Sequence, residues 1–189
     1  MLEAKEVNFA YRRGLPVLND IACTIGDGEF VALLGHNGSG KTTLSRLFMA
    51  LLHPRSGQVL VDGEDVVNYE PADLADKIGY VFQNPDLQIL EDTVFDEVAY
   101  GPRAKKLTDE TVKNQVEAAL AATGLSDLAE AYPRLLSFGQ KRRLGVASAL
   151  ALNPRTLILD EITNGQDAIE KERMLSLIHI SEPTRLLSI

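Results

Sequence analysis

A glycine-rich segment constrains the fold of this chain more than any other stretch of its sequence. The segment reads Gly35-His36-Asn37-Gly38-Ser39-Gly40-Lys41-Thr42 and matches the pattern G-x-x-x-x-G-K-[ST]. Residues 29–34 form an apolar run typical of a buried strand, and residues 43–52 have apolar positions at helical spacing. Glycines let successive backbone N–H groups turn inward and bind an anion where a helix begins. The sequence therefore predicts a strand, a phosphate-binding loop and a helix, in preference to a glycine-rich turn that binds nothing.

Two side chains at the end of this loop have the chemistry that a nucleoside triphosphate requires. Lys41 is expected to bridge the β- and γ-phosphates, and the Thr42 hydroxyl is expected to hold Mg²⁺. We therefore expect ATP and Mg²⁺ as the ligands of this segment.

The composition limits the other functions of the chain. Its 189 residues, 45% of them hydrophobic, are enough for one domain with a proper core. The net charge of -8 argues against a nucleic-acid partner. Cys23 is the single cysteine, so a disulfide framework is excluded and a reducing cytoplasm is favoured. No apolar run reaches the length of about twenty residues that crosses a bilayer, so we expect a membrane role only through a partner.

Periodicity and turn residues predict an α/β chain in which strands surround a helical insertion. Strands are predicted at residues 4–9, 17–25, 57–63, 77–82 and 156–159. Helices are predicted at residues 93–100, 109–122 and 144–152, with Thr108 as an N-cap, Gly124 after a C-terminus and Gly101-Pro102 as a stop signal. The expected architecture is a mixed sheet core with an N-terminal antiparallel β-subdomain and a helical subdomain at about residues 84–152.

Two acidic residues follow the last of these strands. Asp160 and Glu161 stand at the carboxyl end of an apolar strand, where ligands of open α/β sheets bind. Neighbouring residues there point to different sides. One carboxylate can therefore orient Mg²⁺ and its water while the other accepts a proton from the attacking water. On these grounds alone, either residue can take either role. A solvated strand end without function is the alternative.

The segment Leu136-Ser137-Phe138-Gly139-Gln140 resembles the L-S-G-G-Q signature of the ATP-binding-cassette (ABC) ATPases, and residues 1 to about 174 fit that family. Ser137 can cap the following helix, whose first amides form an anion-binding surface with Gly139. The resemblance implies a P-loop α/β fold in which Ser137, Gly139 and Gln140 contact a γ-phosphate held by an opposing subunit. It also implies that ATP joins two such subunits head to tail.

The same resemblance implies roles for other residues, with Asp160 as a ligand of Mg²⁺ and Glu161 as the general base. Tyr11 resembles the aromatic residue that stacks on adenine, although by itself it reads as a half-exposed loop residue. Gln83 resembles the glutamine that touches Mg²⁺ and the attacking water, and Asp167 resembles an aspartate that crosses the dimer interface. Further nucleotide contacts are implied for Gly35, Asn37, Gly38, Ser39, Gly40 and Thr43.

Residues 83–89 and 97–102 look like the cobalt and energy-coupling-factor branch of that family. This implies an ATPase subunit that powers uptake of a vitamin or a transition-metal ion from the cytoplasmic face of the cell membrane. Its implied partners are a second ATPase subunit, in a homo- or heterodimer, and a transmembrane coupling protein that docks near Gln83 and the helical subdomain. The alternatives are a soluble ABC ATPase outside transport and a non-catalytic fragment.

The sequence also departs from the family pattern. Phe138 replaces a glycine of the signature, and the segment around Asp167 differs at Ile162, Asn164, Gln166 and Ala168. The family's switch histidine would lie beyond residue 189. Residues 175–189 resemble the translation of a transposase adapter used in sequencing libraries. We therefore expect a domain at residues 1–174, a non-native tail at 175–189 that does not pack on the core, and little ATPase activity of the chain as written. A genuine C-terminal helix broken at Pro183 is the alternative.

Overall fold

The described β-strands form two four-stranded sheets that differ in strand direction. The computed structural model describes residues 1–12, 14–160 and 185–188. One sheet is antiparallel in the order β2-β1-β4-β5, and the other is parallel in the order β3-β8-β7-β6. The strands are β1 (Leu2–Phe9), β2 (Leu18–Ile25), β3 (Phe30–Ala32), β4 (Ser56–Val61), β5 (Glu64–Asp65), β6 (Ile78–Val81), β7 (Thr156–Leu159) and β8 (Arg185–Ser188).

The helices lie between and beside these sheets. They are α1 (Lys41–Phe48), α2 (Pro71–Leu74), α3 (Val94–Ala104), α4 (Asp109–Thr123) and α5 (Phe138–Leu150). Short 3₁₀ turns occur at Val66–Asn68, Pro85–Leu87, Ser126–Leu128 and Pro133–Leu135. The predicted α/β fold with an N-terminal antiparallel part and a helical part is confirmed. None of the helices in the described part of the chain is long and apolar enough to span a membrane.

The antiparallel sheet is built by local pattern. Leu2 and Ala4 are buried at alternate positions of β1, as expected for a half-buried strand. A register shift after Ala4 then changes the inward face, so Val7 is buried and Glu6, with a φ of 51°, is exposed. Asp62 and Gly63, both with positive φ, turn the chain from β4 into β5. Positive φ at both central residues is the requirement of the two-residue hairpin that Asp-Gly favours.

The strand before the glycine loop is less buried than its sequence predicts. Residues 29–34 were expected to form a buried strand, but β3 is short, Phe30 is 48% exposed and Leu34 is 89% exposed. The reason is position, because β3 lies at an edge of the parallel sheet and pairs only with β8 among the described residues. Helix α1 is also shorter than the predicted 43–52, since Ala50 has a φ of 53°.

Helices α3, α4 and α5 share a second core that includes Val98, Val116 and Leu144, all at most 1% exposed. Thr108 caps α4 by accepting from Thr111 N, and Gly124 ends the helix with a φ of 65°, as predicted. The prediction that Gly101-Pro102 ends α3 is wrong, because α3 continues to Ala104. Pro102 is buried inside α3, so apolar burial offsets the one hydrogen bond that its nitrogen cannot donate.

Strand β8 belongs to the segment for which we expected no packing. Its backbone pairs in parallel with β3 on one side and β7 on the other, which corrects that expectation. The pairing uses main-chain groups that every residue except proline provides. It therefore does not decide whether residues 175–189 are native, and that hypothesis remains a prediction.

Candidate active site

The glycine loop connects β3 to α1 in a conformation that its glycines make possible. Gly40 stands at the N-cap of α1 with a φ of 95°, in the left-handed region. A Cβ atom at Gly40 would lie 2.6 Å from Leu18 Cδ2 and 3.1 Å from the Val17 carbonyl oxygen. Both the backbone conformation and the close approach of β2 therefore require glycine here.

Lys41 turns its side chain back over the loop from the first position of α1. Its Nζ donates to the carbonyl oxygen of Gly35 at 3.0 Å and to that of His36 at 3.4 Å. The ammonium group is thus held above the same backbone segment whose N–H groups are expected to bind phosphate. This arrangement concentrates positive charge at the N-terminus of α1, where anions are favoured.

The next residue, Thr42, contacts the acidic end of β7. Thr42 Oγ1 donates to Asp160 Oδ1 at 3.1 Å, and Asp160 is 3% exposed. Hydroxyl and carboxylate oxygens are the hard ligands that Mg²⁺ prefers, and Mg²⁺ completes its shell with phosphate oxygens and water instead of a protein cage. This donor set fits Mg²⁺.

A second hydroxyl holds the other oxygen of Asp160. Tyr80, in β6, donates from its hydroxyl to Asp160 Oδ2 at 3.0 Å and lies 3.3 Å from Ser45 Oγ. Burial raises the pKa of Tyr80 to about 12, the Ser45 hydrogen bond opposes the shift, and the negative charge of Asp160 adds to it. The hydroxyl therefore keeps its proton and remains a donor at neutral pH.

An open cleft of about 490 Å³ lies over the start of α1. Tyr11 forms one wall, where its hydroxyl lies 3.2 Å from Thr43 Oγ1 and its ring packs edge-on against Phe9. Tyr11 is 54% exposed, so a face of the ring is open to a ligand. The structure thus brings together in one cleft eight of the predicted residues: Tyr11, Asn37, Gly38, Gly40, Lys41, Thr42, Thr43 and Gln83.

Two predicted loop residues lie on the other side of the loop. Gly35 and Ser39 line a second cavity of about 320 Å³ with apolar residues of β2 and α1. A Cβ atom at Gly35 would lie 2.7 Å from Ser39 Oγ. Gly35 and Ser39 therefore pack together and help to fix the conformation of the loop. Their predicted contact with nucleotide would have to come from backbone groups.

The signature-like segment forms the start of α5, away from the cleft. Ser137 caps the helix by accepting from Gln140 N at 3.3 Å, and Gln140 Oε1 accepts from Ser137 N at 2.8 Å. This reciprocal capping confirms the predicted cap and fixes the first turn, which includes Gly139. None of these three residues lines the cleft.

Phe138 occupies the position where the family signature has glycine. Its ring lies beneath the guanidinium of Arg142, 4.5 Å from the ring centroid, and the residue is 50% exposed. The two residues are one helical turn apart, so their side chains meet on one face of α5. The ring is therefore held against its own helix.

A third cavity, an apolar groove of about 310 Å³, lies between the parallel sheet and the helices. Aromatic residues Tyr80, Phe82 and Tyr100 contribute to its wall. Glu97 also lines this groove. It is 5% exposed, and its carboxylate accepts from the N–H groups of Leu90 and Glu91 at 2.7 and 2.8 Å. This single carboxylate fixes the loop that leads into α3. We call the cavity lined by Tyr80, Phe82 and Tyr100 the apolar groove.

The 3₁₀ turn that follows Gln83 is attached to α5. Lys141 Nζ, on a side chain that is 15% exposed, lies 2.8 Å from Asp86 Oδ1. The partners come from two segments that are 55 residues apart in sequence.

Several roles depend on residues that the structure does not place or that the sequence did not single out. Glu161 and Asp167, predicted as general base and interface residue, lie outside the described residues. Tyr80 and Ser45 were not predicted as site residues. The signal for Tyr80 is strand alternation, since Tyr80 pairs with Ile158 and thus shares a face with Asp160, two residues further on.

Comparison with known proteins supports the interpretation of this geometry. The ABC transporter family model matches residues 18–164. A protein of Caldanaerobacter subterraneus subsp. tengcongensis, named provisionally as an ABC transporter ATP-binding protein, is 46% identical over 178 residues, covering 94% of this chain and 31% of that relative. The energy-coupling factor transporter ATP-binding protein EcfA2 of the same organism is 40% identical over 184 residues, covering 94% of this chain and 64% of that relative. The chain thus spans less than two thirds of the length of either relative.

Solved structures agree. The chain superimposes on cbiO1 from Clostridium perfringens, part of the ABC transporter complex cbiONQ, with a TM-score of 0.90 and 34% identity, covering 99% of this chain and 77% of that one. It matches a dimeric ATP-binding cassette in a post-hydrolysis state, bound to ADP and Pi, with a TM-score of 0.88 and 28% identity, covering 100% and 87%. With a family match over most of its length and a glycine loop that meets the acidic end of β7, this chain belongs to the ABC transporter ATPase family.

Proposed function

We propose that this chain is the ATP-binding and hydrolysing part of an importer subunit of the energy-coupling-factor type. The observation that carries the proposal is the contact of Thr42 with Asp160 at the foot of the cleft that Tyr11 and Lys41 border. The branch is supported by the likeness to EcfA2 and to cbiO1, and by residues 83–89 and 97–102.

In this proposal the cleft binds ATP through the loop and its flanks. Lys41 offsets the charge of the β- and γ-phosphates, and the inward N–H groups of the loop hold their oxygens. Tyr11 offers its ring to adenine, because its hydroxyl is already engaged with Thr43 and its ring rests on Phe9. The remaining contacts are those of Gly35, Asn37, Gly38, Ser39, Gly40 and Thr43.

Thr42, Asp160 and Gln83 would hold Mg²⁺, directly or through water. When bound, the cation supplies charge neutralisation at the phosphate oxygens. The Thr42 hydroxyl proton is committed to Asp160, so the lone pairs of the same oxygen remain for a cation. Gln83 lies in the same cleft, on the segment that leaves β6.

Hydrolysis is assigned to Glu161 as general base, with Gln83 orienting the attacking water. Glu161 directly follows Asp160 in the sequence, just after the end of β7. A carboxylate there can accept the proton of a water molecule placed beyond the γ-phosphate. We propose that this activity belongs to the intact parent protein.

A second ATPase subunit would complete the site. Ser137, Gly139 and Gln140 form a capped helix start that lies outside the cleft and can face the phosphate of an opposing subunit. Asp167 would cross the same interface. The dimeric cassette with which the chain superimposes supports this arrangement.

A transmembrane coupling protein is the other proposed partner, which places the subunit at the cytoplasmic face of the cell membrane. We propose that it docks at the apolar groove, whose wall includes Phe82, the neighbour of Gln83. Phe82 is 39% exposed and Leu90 is 64% exposed, so the groove offers apolar surface to a partner.

Calorimetric titration of the chain with MgATP tests the nucleotide site. We expect binding that Lys41→Ala weakens by about 1.5–3 kcal/mol, the contribution of a hydrogen bond to a charged group. Lys113→Ala is the matched control, since Lys113 lies on an exposed face of α4 and pairs with Glu117 across one helical turn. Equal affinity of Lys41→Ala and the parental chain would contradict the assignment of the loop.

Deletion of the gene in its source organism tests the transport role. The energy-coupling-factor assignment predicts loss of uptake of one vitamin or transition-metal ion, restored by the parental gene but not by a Lys41→Ala copy. A soluble ABC ATPase outside transport predicts ATP binding without any uptake defect. That outcome would leave the assignment of the nucleotide site intact and exclude the proposed role in import.

A further inference from the structure

The carboxylate of Asp160 is held at both of its oxygens by hydroxyl groups from different elements. Thr42 Oγ1 contacts Oδ1 at 3.1 Å and Tyr80 Oη contacts Oδ2 at 3.0 Å. The backbone N–H of Asp160 also donates to the carbonyl oxygen of Val81, next to Tyr80 in β6. A side chain with both oxygens engaged has a fixed orientation about its last bond.

Counting protons fixes the direction of these bonds. A carboxylate only accepts, so the hydroxyl protons of Thr42 and Tyr80 both point at Asp160. Ser45 Oγ donates to the Thr42 carbonyl oxygen at 2.9 Å and lies 3.3 Å from the Tyr80 oxygen. Tyr80 gives its one proton to Asp160, and Ser45 also has only one, so Ser45 can donate to the Tyr80 oxygen only by sharing the proton that it gives to the Thr42 carbonyl oxygen.

The ring of Tyr80 reaches a different part of the molecule. It packs edge-on against Phe82, with centroids 4.9 Å apart, and both rings line the apolar groove. The residue thus extends from the groove wall to the acidic end of β7.

We propose that Tyr80 is a positioning residue for the cation site: its hydroxyl orients Asp160 so that Oδ1 stays beside Thr42 and faces Mg²⁺. The inference rests on the proposed function, because it takes Thr42 and Asp160 as the residues that face the cation. Without the Tyr80 hydroxyl, Oδ2 loses its donor and the carboxylate is free to rotate away from Thr42. The cost appears as weaker cation binding and not as weaker binding of the nucleotide itself.

The test uses titration calorimetry of the chain with a non-hydrolysable ATP analogue, once in EDTA and once with Mg²⁺. We expect Tyr80→Phe to bind the analogue in EDTA as the parental chain does. With Mg²⁺, the gain in affinity should fall by about 10–100-fold, the usual effect of removing a group that orients a metal ligand. Unchanged affinity in EDTA also shows that the variant is folded.

Tyr69→Phe is the matched control. It removes the same hydroxyl group, which there accepts from Lys77 Nζ at 2.8 Å, and it should retain the full gain with Mg²⁺. A Tyr80→Phe chain that keeps the gain, or that loses equal affinity in EDTA and in Mg²⁺, would overturn the positioning role. A parental chain that binds no analogue under either condition would overturn the proposed function itself.

Asp160→Asn provides a second measurement. If Tyr80 acts through Asp160, Tyr80→Phe should cause no further loss of the Mg²⁺-dependent gain in an Asp160→Asn chain. Additive losses would show that Tyr80 acts by another route and would overturn the inference.

Discussion

Thr42 Oγ1 and Asp160 Oδ1 lie 3.1 Å apart, although 118 residues separate them in the chain. The contact joins the end of the glycine loop to the end of β7, so two motifs that are separate in sequence form one site.

Thr42→Val keeps the shape of this residue and removes the hydroxyl group. We expect the Mg²⁺-dependent gain in ATP affinity to fall by at least about tenfold, because the cation loses a ligand and Asp160 loses a donor. Thr42→Ser, which keeps the hydroxyl, should retain most of the gain. Calorimetry in EDTA and in Mg²⁺ measures both variants, and equal gains for valine and serine would contradict the assignment of Thr42.

Glu161→Gln in the intact parent should retain bound ATP and slow hydrolysis by about 10²–10⁴-fold, the usual contribution of a positioned general base. ATP should then hold two subunits together, which size-exclusion chromatography detects as a dimer. Hydrolysis at the parental rate would exclude Glu161 as the base.

Phe138→Gly restores the residue type of the family signature. We expect ATP-driven dimerisation of the intact parent to persist, because the ring lies against Arg142 of its own helix. The free energy of unfolding should decrease by about 0.5–2 kcal/mol as the cation–π contact is lost. Loss of dimerisation would show instead that the ring packs at the interface between subunits.

Glu97→Ala should lower the free energy of unfolding by about 1–3 kcal/mol, since the N–H groups of Leu90 and Glu91 lose their acceptor. Glu97→Gln retains an acceptor oxygen and should cost less. Denaturant unfolding followed by circular dichroism separates the two variants. Equal stability of the alanine and glutamine variants would contradict this role of the carboxylate.

Sequencing the source locus across Met174 tests the origin of the C-terminal segment. We expect the genomic sequence to differ from residue 175 onward and to encode a histidine that fits the family's switch position. An identical genomic sequence through Ile189 would show that the segment is genuine.

Local signals predicted local structure well. The caps of α4 and α5 depend on residues three positions apart, so Thr108 and the pair Ser137 and Gln140 could be predicted from sequence alone. The glycine loop was predictable for the same reason, because its conformation is encoded by its own residues.

Features that depend on distant neighbours were not predictable. The exposure of Phe30 follows from the place of β3 at a sheet edge, and Pro102 continues a helix because tertiary packing buries it. Tyr80 reaches Asp160 only because β6 and β7 pair in one register, and a single sequence does not reveal strand register.

The ion pair between Asp86 and Lys141 connects the segment after Gln83 to helix α5, so that the two are expected to move together. That segment leaves the parallel sheet at β6, yet its charged side chain is tied to the first turns of α5, beside the capped signature residues. A rotation of the three helices against the sheet would therefore carry Pro85–Leu87 along and pull on the backbone at Gln83. The same bond would transmit any movement of Gln83 to the start of α5.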